Sequence, residues 1–387
     1  MSQPEGNNDG PPLHNDEPPD FSFLLRPEIY HTLTALNVPA SFRDSPKQPD
    51  DPDTNISQLL QRGHFRAAAI AAVRELTGSG GGGGGGGEGG GGERGQGVDA
   101  RDGRRILDLF YTRLACLTLI DATPLAAQEA KALEDLNSVR VYVDVKTGQH
   151  LAPWPLRLLN VRLQSLGFGD PRRAVMSYYD LAREARLQIS KSKGHDEEEE
   201  TQLWTDRLHD LAMMVAGALV EMDDLAGAAH HLESLPEATT GSRRLSLCRA
   251  LLALQVGDVD RARKWAGSQE DADKVVHALC DVADADYGAA LAKLEEGEGD
   301  DDETVAVNKA VCLLYLGRMD EGRRVLEKRL ATRGASSPSP SLLFNLSTMY
   351  ELCTDRHRRL KTTLAERVAG MEESPAGWER NNADFKL

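Results

Sequence analysis

The sequence is poor in the residues that build sheets and in those that do chemistry. Aromatic residues make up only 5% of it. Ala and Leu dominate its apolar positions instead, a mix that suits close-packed helices better than a β-sandwich. Its five cysteines, Cys116, Cys248, Cys280, Cys312 and Cys353, include no CxxC pair. Their odd count and wide spacing argue against a disulfide framework and against a zinc site, leaving buried, reduced thiols as the plain reading. The longest apolar run, LAMMVAGALV at 211–220, is too short to span a bilayer. Cations are also short, with 45 Lys and Arg against 61 Asp and Glu. The one basic cluster, RHRRLK at 356–361, is brief and falls on a helical pattern. Nothing in the chain neutralises a row of phosphates, so nucleic acid is disfavoured as a partner.

Catalytic signatures are absent too. The ten histidines are scattered, and the adjacent pair His230 and His231 has no acid at helical spacing to complete a metal site. His209 beside Asp210 reads as a helix-surface pair. There is no GxSxG and no HExxH. The residues assemble no nucleophile with a base and an orienting group, so no enzyme, cofactor or metal is expected.

The charge that is present is concentrated. DEEEE at 196–200 holds five acids and EEGEGDDDE at 295–303 holds seven; without these twelve the net charge of −16 would be −4. Each run reads as a solvated loop. Glycine is concentrated as well, with 15 of 36 between Gly78 and Gly97. No Gly-Lys-Ser/Thr follows and no apolar strand precedes, so this stretch reads as a flexible insert and not a phosphate loop.

Along the chain, residues 1–20 have the composition of a disordered acidic, Pro-rich tail. They fit neither a signal nor a transit peptide, which points to the cytosol. Residues 21–77 read as an N-terminal docking segment and a first helix pair, and 78–100 as the glycine-rich insert. Residues 101–192 are helical apart from VRVYVDV at 139–145, whose alternation at period two predicts a short extended segment. An acidic loop at 193–200, a repeat array over 201–370 and a tail at 371–387 complete the division.

The array is legible in a recurring ten-residue form. GRMDEGRRVL at 317–326 matches GDVDRARKWA at 257–266, DDLAGAAHHL at 223–232, GDPRRAVMSY at 169–178 and GHFRAAAIAA at 63–72, with ADYGAALAKL at 285–294 a looser copy. Each has a turn residue, a one-residue gap, a hydrophobic or Pro position, then a small residue three further on. These small residues are Ala68, Ala174, Ala228, Ala262, Ala290 and Gly322, and two helices crossing there need a small side chain to approach closely. Upstream helices carry a second small residue at Ala216, Ala250, Ala278 and Ala310. The spacing resembles that of tetratricopeptide repeats, at about 34 residues per helix pair. The expected fold is therefore all-α, an α-solenoid of degenerate tetratricopeptide-like repeats. In such an array the first helices line a groove, which places Leu247, Leu251, Leu254, Val307, Val311 and Leu314 on its wall. Apolar faces of that kind need a cover, from the chain itself or from a partner.

The wording of several segments goes further than repeat physics. NKAVCLLYLGRMDEG followed by SLLFNLSTMYEL resembles the C-terminal region of the trafficking protein particle (TRAPP) complex subunit 12 family. LLRPEIYHTLTALNVPASF with QLLQRGHFRAAA resembles that family's N-terminal segment, and LAPWPLRLLNVRLQSLGFGDPRRAV its central one. The resemblance runs from about Phe21 to about Gly370 with the segments in order. It finds no counterpart for the glycine insert or the acidic runs. It implies a non-catalytic scaffold subunit of the TRAPP III type of tethering complex, acting in traffic between endoplasmic reticulum and Golgi and in autophagy. It implies partners among the large accessory subunits, notably 8 and 11, contact with a Rab GTPase only through the core subunits, and a cytoplasmic protein held peripherally at those membranes. The alternative is a tetratricopeptide co-chaperone or adaptor that clamps peptide segments. Such a clamp needs Lys, Arg and Asn facing the groove, whereas the adjacent Asn308 and Lys309 point different ways on a helix.

Overall fold

Among the described residues, seven turns of one design set the architecture. In each, a residue with φ between 60° and 89° ends one helix, and the next helix begins two residues later; the seven are Gly63, Asp121, Gly169, Asp223, Gly257, Ala285 and Gly317. The amide after the turn residue reaches back five positions, as from Asp224 to the Leu219 carbonyl at 3.0 Å and from Arg318 to that of Leu313 at 2.8 Å. This satisfies a carbonyl that the ending helix leaves open. Where that next residue is Asp, its carboxylate accepts from an amide three positions on: Asp170 from Arg173, Asp224 from Gly227, Asp258 from Arg261 and Asp286 from Ala289. The gap position in the sequence motif is thus an N-cap. A helix stop and a helix start are fused into two residues, which fold the chain back on itself.

The computed structural model describes residues 19–49, 54–78, 97–144, 147–193, 198–236, 242–267, 273–296, 302–332 and 337–387. Within them, a single turn, α1 (Ala40–Arg43), precedes the pair α2 (Ile56–Arg62) and α3 (Phe65–Thr77). Next come α4 (Gly103–Leu119) with α5 (Thr123–Ala130), the short α6 (Val139–Tyr142), and α7 (Trp154–Phe168) with α8 (Pro171–Lys193). The array continues with α9 (Glu198–Glu221) and α10 (Leu225–Ser234), α11 (Ser242–Val256) and α12 (Val259–Trp265), and α13 (Lys274–Ala283) and α14 (Tyr287–Glu295). It ends with α15 (Glu303–Tyr315) and α16 (Met319–Ala331), then α17 (Pro340–Cys353) and α18 (His357–Ala369). Successive helices pack on one another, so the core is a series of small clusters between neighbouring pairs. The described residues contain no strand, and the fold is the all-α solenoid that the repeat motif predicts.

The array is closed by its own ends. Phe21 and Leu24 join the core of α3, α4 and α7, while Val38 and Phe42, a few residues on, join that of α16, α17 and α18. Residues 371–387, read from sequence as a tail, complete the closure: Trp378 is 2% exposed and Phe385 0%. The Trp378 ring stands edge-on to Phe42 at 5.3 Å and lies 4.9 Å from His64. The tail grips the first two turns of the array. The Trp378 amide donates to the Gly63 carbonyl at 3.1 Å, and Asn381 Nδ2 donates to Asp121 Oδ2 at 2.9 Å. Ionic contacts flank the seam, with Arg62 Nε on Glu373 at 2.6 Å and Arg66 Nε on Glu379 at 2.7 Å.

Three local expectations change. The segment expected at 139–145 does not run extended over its described residues, 139–144. It opens on the helical turn α6, and only Val143 makes an isolated antiparallel bridge, to His150. Tyr142 decides this: its hydroxyl donates to the Leu133 carbonyl at 2.7 Å and its ring lies 5.8 Å from that of Phe21. The acidic loop at 193–200 is shorter than expected, because Glu198, Glu199 and Glu200 form the first turn of α9, where the helix dipole favours them. Cys248 and Cys353 are only partly buried, unlike the other three thiols. Residues 1–18, 79–96, 194–197 and 297–301, on which the tail, insert and acidic-run expectations mainly fall, lie outside the described residues.

Candidate interaction surface

All six predicted crossing residues sit on the second helix of a pair, and all are buried. The crossing at Gly322 leaves little room. A Cβ there would stand 3.0 Å from the Ala310 carbonyl oxygen and 3.4 Å from Met349 Cε. Ala310 is itself fully buried on the facing helix, as are Ala250 and Ala278 to within 1%. A seventh crossing went unread in the sequence. Asp121 begins the same motif, and Ala126, five residues on, is 0% exposed. The motif is hidden there because the polar Thr123 takes the hydrophobic position and Pro124 falls one residue late.

The six predicted groove residues are not brought together into one surface. Leu247 and Leu254 pack against the core that α11, α12 and α13 share. Val307 and Leu314 pack against the C-terminal core instead. Val311 is half-buried, and Leu251 alone is largely open, at 43% exposure. Neighbouring helices cover most of the face that the repeat pattern assigned to a groove.

A cleft of about 500 Å³ opens between α10, α11 and α12, on a side of α11 that Leu251 does not line. Its walls are apolar, from Leu225, Ala229, Leu252, Val256 and Trp265, with His230, Glu233 and Arg261 at its mouth. Arg249 forms part of the wall. Its Nε and Nη2 donate to the Leu232 carbonyl at 3.0 and 2.8 Å, Nη2 also donates to that of Leu235, and the guanidinium lies 4.5 Å over the Trp265 ring. The cation thus holds the C-terminal end of α10, where helix carbonyls lack partners.

The strongest polar site is structural. Arg113 and Glu129 are each 1% exposed. Arg113 Nε donates to Glu129 Oε2 at 2.9 Å and Nη2 to Oε1 at 2.7 Å, a two-pronged pair. The remaining capacity of both groups goes to backbone: the His31 amide donates to Glu129 Oε1, and Arg113 donates to the carbonyls of His31 and Ala69. One ion pair thereby ties the N-terminal segment to α3, α4 and α5.

The reactive side chains are occupied or muted. Burial pushes the Cys116 thiol up to about 12 and also raises Cys280, Cys312 and Cys353, which keeps them protonated and poorly nucleophilic. His231 bonds the Ala212 carbonyl, and His277 that of Gly267. His209 is no surface group at its tip, since its Nε2 is buried without a partner among the described residues. Lys361, from the basic cluster, is 3% exposed and is bound to Glu351 at 2.5 Å. Hydrogen bonds from Lys361 and Lys386 hold the Glu351 carboxyl down at about 2. Among the described residues no three His, Cys, Asp or Glu side chains gather to hold a metal, and no helix is long and apolar enough to cross a membrane.

No family model matches the chain. It is 28% identical over 316 residues to trafficking protein particle complex subunit 12 of Homo sapiens, an alignment covering 69% of this chain and 41% of that protein. It is 26% identical over 360 residues to the protein of the same name from Mus musculus, covering 82% and 43%. The chain thus spans less than half the length of these curated relatives. Among solved structures it is similar to a tetratricopeptide repeat protein from Parabacteroides merdae, at 14% identity and a TM-score of 0.37, over 67% of this chain and 92% of that one. The two relatives bear out the resemblance to subunit 12 seen in the sequence.

Proposed function

We propose, from its kinship with trafficking protein particle complex subunit 12, that the chain is a non-catalytic scaffold subunit of a TRAPP complex of the III type. The likeness to that subunit over 69–82% of the chain carries the reading. The architecture supports it. A series of helix pairs closed by the chain's own ends is a rigid frame, and three of its five thiols are buried in that packing. In this role the chain holds the large accessory subunits 8 and 11 to the assembly. It touches a Rab GTPase only through the core subunits, works in traffic between endoplasmic reticulum and Golgi and in autophagy, and reaches those membranes peripherally. The partner-facing part of the array includes the open face of α11 at Leu251 and, on another side of the same helix, the apolar cleft between α10, α11 and α12.

Acute depletion of the chain in its own cells, followed by sizing of the remaining complex, tests this. The accessory subunits should separate from the core while the core stays intact. A complex of unchanged size and composition would refute a scaffold role.

A further inference from the structure

A basic surface runs along α8. Its exposed positions step by three and four residues from Arg172 to Lys191, a single stripe about 28 Å long. The stripe carries five cations, Arg172, Arg173, Arg183, Arg186 and Lys191, against one acid, Asp180. Arg183 is paired with Asp180 at 2.7 Å; among the described residues the other four have no acidic partner. The second acid of the helix, Glu184, turns inward to Arg157 at 2.8 Å. In a chain of net charge −16 this is a local reversal of sign.

The same stripe exposes Met176, Tyr179 and Leu187, at 62%, 40% and 62%. They are not a frayed edge of the core. The opposite face of α8, with Ala174, Tyr178, Leu181 and Ala185, is already buried against α7 and α9. Apolar side chains at i, i+3 and i+11 with cations between them match what a second helix needs: a seam for its own apolar side chains, and guanidinium groups for flanking carboxylates.

We propose that the outward face of α8 docks an acidic amphipathic helix of a partner protein, about five turns long. Its apolar stripe seats against Met176, Tyr179 and Leu187, and its carboxylates pair with Arg172, Arg183, Arg186 and Lys191. A protein helix is favoured over an anionic bilayer by the acids of the neighbouring helix. α9 packs along α8 and opens with Glu198, Glu199 and Glu200, all exposed. These acids repel a broad anionic surface more than they do a single helix laid along α8. The site stands independently of which assembly the chain serves.

The test replaces Tyr179 in the full chain with the photo-crosslinker p-benzoylphenylalanine, irradiates its own cells and maps the cross-linked peptide by mass spectrometry. The same probe at Leu316, exposed on the C-terminal side of α15, is the control. The expected product is one segment of another protein with Asp and Glu at helical spacing. Its yield should fall about tenfold when Arg183→Glu and Arg186→Glu are added, with thermal unfolding unchanged. Cross-links to this same chain, to lipid alone or to an acid-poor segment would overturn the proposal. So would a yield no higher than the control, or one that survives both charge reversals.

Discussion

Gly63 and Trp378 lie 315 residues apart in sequence, yet the Trp378 amide donates to the Gly63 carbonyl at 3.1 Å. The approach leaves no room for a side chain. A Cβ on Gly63 would stand 2.3 Å from the Ser374 carbonyl oxygen, 2.7 Å from Gly377 Cα and 2.8 Å from the Trp378 nitrogen. Gly317 has the same φ of 76° but nothing within 4 Å of its virtual Cβ. The pair separates two costs. Gly317→Ala should lose only the left-handed penalty, about 1 kcal/mol. Gly63→Ala must also displace backbone and should lose about 3 kcal/mol or more. Denaturant unfolding of the two variants measures the difference, and equal losses would mean that the tail does not seat on the first turn.

The buried Arg113–Glu129 pair should be costly to break from either side. Arg113→Ala or Glu129→Ala leaves an uncompensated charge in the core and should destabilise by about 3–5 kcal/mol. Replacing both with apolar residues of similar volume should be far milder, as the desolvation of both charges is avoided. Chemical denaturation of the two single variants and the double variant forms the test, and additive losses would show the groups act separately.

At the helix crossings, overpacking is the sensitive probe. Ala228→Leu and Ala262→Leu should each cost about 1–3 kcal/mol, because Ala228 and Ala262 are both 0% exposed against a facing helix. A thermal melt reads this directly, and an unchanged midpoint at either site would place the crossing elsewhere.

The seam should respond to acid. The hydrogen bond from Arg62, opposed by burial and reinforced by His64, holds the Glu373 carboxyl down at about 2. A carboxylate whose folded value is depressed stabilises the fold above its ordinary value of about 4.3. That contribution is lost as the pH falls from there towards 2. Glu373→Gln should therefore be less stable than the parent at pH 7, and the gap should narrow as the pH is lowered through this window. Unfolding free energies measured from pH 7 to 2.5 show whether it does.

Much of this fold is readable from sequence because its repeat is written locally. The turn residue and the small residue five positions on are close in sequence and constrained by sterics, so six of the seven turns stand out. The seventh, at Asp121, hides behind Thr123 and Pro124. The gap position looked empty because an N-cap acts on backbone and leaves no hydrophobic trace. Closure was invisible for a different reason. Nothing near Gly63 in sequence names Trp378, and 371–387 has too few apolar residues to look like core until Phe42 and His64 are set against it. The buried Arg113–Glu129 pair leaves no local mark in the sequence, since its burial depends on His31 and Ala69, elements far away in sequence. The stretch 139–145 misled because so short a run lets periodicity separate strand from helix only weakly, and the Tyr142 hydroxyl decided the matter. The candidate groove was placed by analogy with an open array, and the packing of each first helix on its neighbours covers most of it.

The most direct measurement is affinity purification of the tagged chain from its own cells, with quantitative mass spectrometry of what accompanies it. A scaffold subunit of a tethering complex should bring the other TRAPP subunits with it in fixed ratio, the large accessory subunits foremost. Recovery of chaperones alone, or of the chain by itself, would leave the closed helical array standing and contradict the function proposed for it.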